Sequence, residues 1–288
     1  MNTTPGKILL CVDGSSYTEV SCRYAAWIAR RKNLSIDVLY VSDLWEYDMP
    51  LISDLSGSLG VQPYNGLIAQ RQQLEKEKAR FLEEAVRDRF KMLEAGLDVR
   101  FFHETGNLAD TVREFEKNDP TINLVMLGKR GENASQATEH LGSTMERVVR
   151  SSTKPCLVTS RNYEAIQHVL LAYDGGPSVR KAVDWLCRNP GFGDIQLHLV
   201  TVNDQDDPDL ALNRLQEAEK KLSAAGWKPA CEMLTGVVED AIAHYVETKK
   251  IHLLWMGAYG HSRIRHLLIG STTTELIRRC RIPVALFR

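Results

Sequence analysis

The sequence predicts an α/β protein of two tandem, doubly wound domains, each a five-stranded parallel sheet with helices on both faces. Three observations carry that expectation. Short apolar runs such as Lys7–Val12 and Leu253–Met256 alternate with stretches of helical apolar spacing, the pattern of buried parallel strands and their crossover helices. The alternation runs twice, in the same order, along the 288 residues. In both copies an Asp-Gly turn follows the first strand and a glycine-rich loop follows the fourth.

In the first copy, Lys7–Val12 reads as a strand and Asp13-Gly14-Ser15-Ser16 as a turn with helix-capping residues. Val20, Tyr24, Trp27 and Ile28 give the next helix, through Arg31, its apolar face. Ser35–Val41 is the second strand, Arg71–Leu93 a long charged amphipathic helix and Asp98–His103 the third strand. Thr105-Gly106-Asn107 opens a helix, Leu124–Leu127 is the fourth strand and Lys154–Val158 the last. The second copy answers with Ile166–Tyr173, the turn Asp174-Gly175-Gly176, and helices over Val179–Leu186 and Leu210–Ala224. Its later strands are Lys228–Leu234, Leu253–Met256 and Ile282–Leu286. The domains span residues 1–160 and 165–288, and the short polar stretch 160–164 links them.

The copies differ after the second strand. Residues 44–70, LWEYDMPLISDLSGSLGVQPYNGLIAQ, stand where Asn203–Asp209 suffices in the second copy. A connection this long is usually functional or mobile. Trp45, Tyr47, Met49, Leu51, Ile52 and Leu55 make it too apolar for a free linker. It reads either as a lid folded over its own sheet or as a surface for a partner or an apolar ligand.

Ligands on open α/β sheets sit beyond the carboxyl ends of the strands, where the strand order reverses. The stretch from Met256 to Thr273 falls there, with Gly257, Gly260 and Gly270 followed by Ser271, Thr272 and Thr273. Glycine lets the backbone approach a ligand closely, and the N–H groups at a helix start attract anions. The stretch therefore reads as a phosphate site or, more simply, as a turn with a helix cap. Neither a Walker loop nor a Gly-x-Gly-x-x-Gly fingerprint is present. The first copy carries Gly128, Gly131, Gly142, Ser143 and Thr144 in matching places. Ten residues, not nine, separate its second and third glycines, and it holds Glu132 and Glu139 where the second copy has His261, Arg263, Arg265 and His266. Phosphate favours the second set.

The spacing Gly257-x2-Gly260-x9-Gly270-Ser271, with the final strand through Phe287, resembles the ATP-binding signature of the universal stress protein family. The resemblance covers nearly the whole chain as a tandem of two such domains. It implies that the two halves pair through their last strands as an intramolecular pseudo-dimer. It also implies ATP, or AMP or ADP, as the cofactor, with Mg as a companion, bound mainly in the C-terminal half. On that resemblance Asp174 sits by the adenosine, Val202 meets adenine through its backbone, and Met256 leads into the loop. Gly257 and Gly260 admit the ribose and phosphates, with His261 and Arg263 beside them, and Gly270, Ser271 and Thr272 donate to phosphate oxygens. A weaker second site would comprise Asp13, Val41, Gly128, Gly131, Gly142, Ser143 and Thr144.

Composition narrows the rest. A formal net charge of −1 offers no footprint for nucleic acid or a membrane surface. No apolar run approaches the ~20 residues a bilayer requires. MNTTPGK lacks the apolar core of a signal peptide, so the expected location is the cytoplasm. Six scattered cysteines form no C-x-x-C pair, and Cys11, Cys156 and Cys231 read as buried structural thiols. No catalytic pair or metal-ligand pattern stands out, so the chain reads as a binding protein capable at most of slow ATP hydrolysis. The expected function is a stress-response regulator that binds an adenine nucleotide and an unidentified protein partner, with a homodimer of the tandem chain left open. The alternative is a non-nucleotide interaction or small apolar-ligand-binding protein that uses residues 44–70.

Overall fold

The computed structural model describes residues 6–42, 63–129, 142–189, 194–203, 207–258 and 270–288. In the first half the strands are β1 (Lys7–Val12), β2 (Ser35–Ser42), β3 (Val99–Thr105), β4 (Ile122–Gly128) and β5 (Cys156–Thr159). Its helices are α1 (Ser16–Lys32), α2 (Pro63–Leu93), α3 (Leu108–Asn118) and α4 (Ser143–Ser151). The second half repeats the order with β6 (His168–Ala172), α5 (Pro177–Arg188), β7 (Gln196–Asn203), α6 (Pro208–Ala224) and β8 (Ala230–Thr235). It ends with α7 (Val238–Thr248), β9 (Leu253–Gly257), α8 (Ser271–Arg279) and β10 (Val284–Phe287). The third strands begin one or two residues later than the apolar spacing suggests and also end one or two residues later, where Thr105 and Thr235 pair with the ends of β2 and β7.

The strands form one ten-stranded sheet in the order β3-β2-β1-β4-β5-β10-β9-β6-β7-β8. Within each half every pairing is parallel. The exception is the seam, where β5 and β10 run antiparallel with Val284 opposite Val158, Ala285 opposite Leu157 and Leu286 opposite Cys156. The halves are thus related by a local two-fold, as the pairing through last strands requires.

Alternation along each strand sends residues to opposite faces. Ile8, Leu10 and Val12 meet α1 and α2, and the same apolar cluster continues to Val179, Val183 and Leu215 on α5 and α6. Leu9 and Cys11 face the other way, toward Val112, Val148, Ile242 and Ile277 on α3, α4, α7 and α8. Each face therefore carries one core that runs through both halves. The thiols of Cys11, Cys22, Cys156 and Cys280 lie in these cores, and burial raises them, to about 12 for Cys22 and Cys156 and about 11 for Cys280. Cys231 is only half-buried, because its strand lies at the sheet edge.

One connection differs from the sequence reading. Helix α2 starts at Pro63, so the last eight residues of the 44–70 stretch belong to it. Proline suits a first helical turn, where its missing N–H costs nothing. Residues 43–62, with the apolar side chains singled out above, lie outside the described residues. The linker is docked on α1: the Glu164 amide donates to the Tyr24 hydroxyl at 3.1 Å, and the Arg23 guanidinium stacks 4.0 Å over the Tyr163 ring.

Three histidines meet at the amino ends of β6, β7 and β9. His168 Nδ1 lies 3.1 Å from His198 Nε2, His198 Nδ1 lies 3.1 Å from the Tyr245 hydroxyl on α7, and the His168 amide donates to His252 Nδ1 at 3.1 Å. Burial, then His168 and Lys249, push His198 below its ordinary value, against an opposing pull from Glu232. Burial, then His168, lowers His252, with Glu164 opposing. A lowered folded-state pKa means that the unfolded chain takes up protons first, so stability falls as pH drops below about 6.5. The unfolding midpoint is expected to fall between about pH 7.5 and pH 5.5, and His198→Gln to flatten that dependence. Denaturation curves across this range check it, and an unchanged slope in the variant would contradict it.

Candidate functional site

In each half the strand order reverses beside the first strand, between β1 and β4 and between β6 and β9. The carboxyl ends of these strands carry most of the residues singled out from the sequence. Asp174 follows β6, and its Oδ1 accepts the Gly176 amide at 2.8 Å, which closes a tight turn. Gly175 sits in that turn at φ 74°, a conformation that strains any L side chain. The first half repeats the device: Asp13 Oδ1 accepts the Ser15 amide at 2.9 Å, and Gly14 has φ 81°.

The ladders explain what Val202 can do. Strand β6 pairs with β7 only as far as Val200, so Thr201, Val202 and Asn203 are paired on the β8 side alone. The Val200 carbonyl accepts the Tyr173 amide at 2.7 Å, which fixes it toward β6. Two residues on, Val202 turns its N–H and C=O the same way, into the space beyond the end of β6. Val41 is placed alike: the Ser42 carbonyl accepts the Gly106 amide at 3.0 Å on the β3 side, which turns Val41 toward the end of β1.

The fourth strands end at Gly128 and at Met256-Gly257. Gly142 and Gly270 are the N-caps of α4 and α8, and among the described residues neither helix start has a side-chain cap hydrogen bond. This corrects the expectation of a hydroxyl-capped helix. Ser271 and Thr272 lie in the first turn of α8 and are at least partly exposed, whereas Thr273 is buried and turned inward. Its hydroxyl reaches the Gly257 carbonyl at 3.4 Å and the Ala258 carbonyl at 3.3 Å, and the Gly270 amide reaches the Ala258 carbonyl at 3.4 Å. These contacts hold the open start of α8 against the end of β9. Ser143 and Thr144 are exposed at the start of α4, and Met145 is buried where Thr273 stands in the second half. Gly260, His261, Arg263 and Gly131 lie outside the described residues.

Sequence reasoning missed the cations that α5 and α6 bring to this edge. The Arg214 side chain lies beside Gly175, where an added Cβ would come within 3.1 Å of it. Arg180 stands by the buried Tyr173 and reaches Glu217 at 3.4 Å; the Tyr173 hydroxyl, then Glu217, raises its pKa. Both arginines stand on helices as ordinary surface charges, and only the fold brings them to the turn. The amine of Lys129, just past the end of β4, donates to the Cys280 carbonyl at 3.2 Å, at the end of α8 in the other half. Arg288 answers by donating to the Arg150 carbonyl at the end of α4. Each half thus supplies a cation to the negative end of a helix in the other.

A doubly wound α/β tandem, with a glycine-bordered helix start at each switch point, is the class that fold and edge define. A model of the universal stress protein family matches residues 5–160 and again residues 165–288. Universal stress protein Slr1230 of Synechocystis sp. is 42% identical over 287 residues, covering 98% of this chain and 99% of that protein. Among solved structures, a universal stress protein from Archaeoglobus fulgidus DSM 4304 superposes with a TM-score of 0.73 at 19% identity, covering 99% of this chain and 97% of the other. A putative universal stress protein from Pseudomonas aeruginosa superposes at 0.64 with 14% identity, covering 99% and 93%. This chain belongs to the universal stress protein family, as a tandem of two domains.

Two threonines near the edge test the geometry with one chemical change. Thr201 Oγ1 is buried without a hydrogen-bond partner among the described residues, whereas Thr273 Oγ1 has two carbonyls within reach. Thr201→Val removes an unpaired hydroxyl and is expected to leave stability unchanged or raise it by up to about 1 kcal/mol. Thr273→Val is expected to cost about 1 kcal/mol. Urea midpoints compare them, and shifts of the same sign would contradict the placement.

Proposed function

We propose that the C-terminal domain binds ATP or a related adenine nucleotide across the β6/β9 switch point, and that the protein acts in the cytoplasm as a stress-linked regulator. The observation that carries this reading is the start of α8, which no side chain among the described residues caps and which Thr273 holds against the end of β9. A helix start in that position offers backbone N–H groups and a partial positive charge to phosphate. Ser271 and Thr272 would add hydroxyl donors, and the Val202 backbone beyond the end of β6 would take the base. Arg180 and Arg214 raise the positive potential around Asp174. That carboxylate accepts the Gly176 amide, so its first role is to shape the turn, and Mg would need further ligands from the nucleotide. Family membership supports a stress-related role.

The N-terminal edge fits phosphate less well. Its turn and its Val41 backbone match, but Lys129 donates to the other half, and the loop sequence brings Glu132 and Glu139 where the second half has histidine and arginine. The expected nucleotide content is about one per chain. A regulator of this kind works if bound nucleotide favours one state of the α8 edge and a protein partner distinguishes the two states. Among the described residues no helix is long and apolar enough to cross a membrane.

Mass spectrometry of small molecules released from freshly purified protein tests the assignment, repeated on Gly270→Val. Gly270 has φ −55° and ψ 143°, which valine tolerates, so the variant blocks close approach without straining the backbone. An adenine nucleotide in the parent chain and its loss in a folded variant is the expected result. Absence of nucleotide, with no binding of added ATP, would overturn the reading.

A further inference from the structure

The face that carries α1, α2, α5 and α6 holds a wholly apolar cleft, partly open to solvent, where the seam passes between α1 and α5. Both halves build it. Leu157 and Ala285, opposite one another across the seam, belong to the sheet beneath it. Trp27 on α1, Trp185 on α5, Trp227, and Trp255 and Phe287 on the sheet also line it. The aromatic rings interlock: Trp185 meets Trp255 edge-on at 5.2 Å, and Trp255 lies 5.8 Å from Phe287. The lining also draws on the amino ends of β4, β6, β7 and β9, the strand ends opposite the glycine loops. The cleft is therefore separate from the proposed nucleotide edge.

Its rim is charged. The Arg31 guanidinium lies 4.5 Å over the Trp27 ring and pairs with Asp194 of the other half, next to the lining residue Ile195. The Arg31 side chain is 19% exposed and that of Asp194 61%, so the carboxylate is the more solvated partner and the easier to displace. Apolar cavities do not hold water well and accept apolar guests. An arginine at the rim of such a space favours a carboxylate, which it can bind with two hydrogen bonds.

We propose that this cleft binds a small amphiphile, with its apolar body among the tryptophans and a carboxylate head on Arg31 in place of Asp194. The ion pair between the halves then acts as the rim contact that the ligand replaces.

Four of the chain's five tryptophans line the cleft, so intrinsic fluorescence reports its occupancy. Octanoate and octanol are titrated separately into the full chain. Octanoate is expected to give a saturable change with a dissociation constant of about 1 mM or tighter, and octanol to bind about tenfold more weakly. Arg31→Gln, a change at the rim, is expected to bring octanoate to the affinity of octanol. Ala285→Phe fills the space beneath the tryptophans and, in a variant shown to be folded by circular dichroism, is expected to abolish both. No saturable change with either ligand would overturn the site. Octanol binding as tightly as octanoate, or an Arg31→Gln chain with unchanged preference, would overturn the assignment of the head group. Should Ala285→Phe not fold, the Arg31→Gln comparison still decides.

Discussion

Three residue pairs across the β5–β10 seam, Val284 with Val158, Ala285 with Leu157 and Leu286 with Cys156, decide the architecture of this chain. Without that ladder, each half would end in a short, fully buried-type strand with an unsatisfied edge. Cys156–Thr159 and Val284–Phe287 are buried along their whole lengths, so neither could face water as an edge. A bare apolar edge invites pairing with any available strand. Joining the two edges antiparallel satisfies both at once and makes one sheet from two copies. Everything larger follows from it: the cores continuous on both faces, the reciprocal contacts of Lys129 and Arg288, and the cleft between α1 and α5.

The seam also separates two kinds of surface. At the carboxyl ends, the strands stop at different lengths, and the backbone of Val41 or Val202 is turned to the side of the first strand, beyond its end. That geometry suits a ligand recognised largely through backbone groups and anion binding. Between α1 and α5 the surface is built from tryptophan and aliphatic side chains contributed by both halves, and only its rim is charged. The two surfaces call for opposite chemistry, and a tandem chain can carry both because the second arises only where the copies meet.

Much of this was legible in the sequence because the strands are short, buried and bounded by turns. Lys7–Val12 and Leu253–Met256 announce parallel strands by being apolar on both faces, and the Asp-Gly turns after β1 and β6 mark the carboxyl edge. The repeat made the second half predictable from the first. What local pattern could not give was anything that depends on distance in space. Thr273 looked like one more hydroxyl at a helix start, yet it faces inward to the end of β9. Nothing in the sequence sets Arg180 and Arg214 apart from the other charges on their helices, and nothing in it joins Lys129 to the Cys280 carbonyl of the other half. The four tryptophans of the cleft are scattered from position 27 to position 255, and no spacing rule connects them. The early start of α2 has no local signal, because Pro63 lies in a stretch whose apolar residues have no clear period.

Native-state hydrogen exchange at the seam tests the central claim most directly. If the β5–β10 ladder makes one cooperative sheet, the ladder amides of β5 and β10 exchange only through global unfolding, with the same free energy as those in β1 and β6. Faster exchange at the seam, with the two halves opening in separate steps, would show two domains that merely touch.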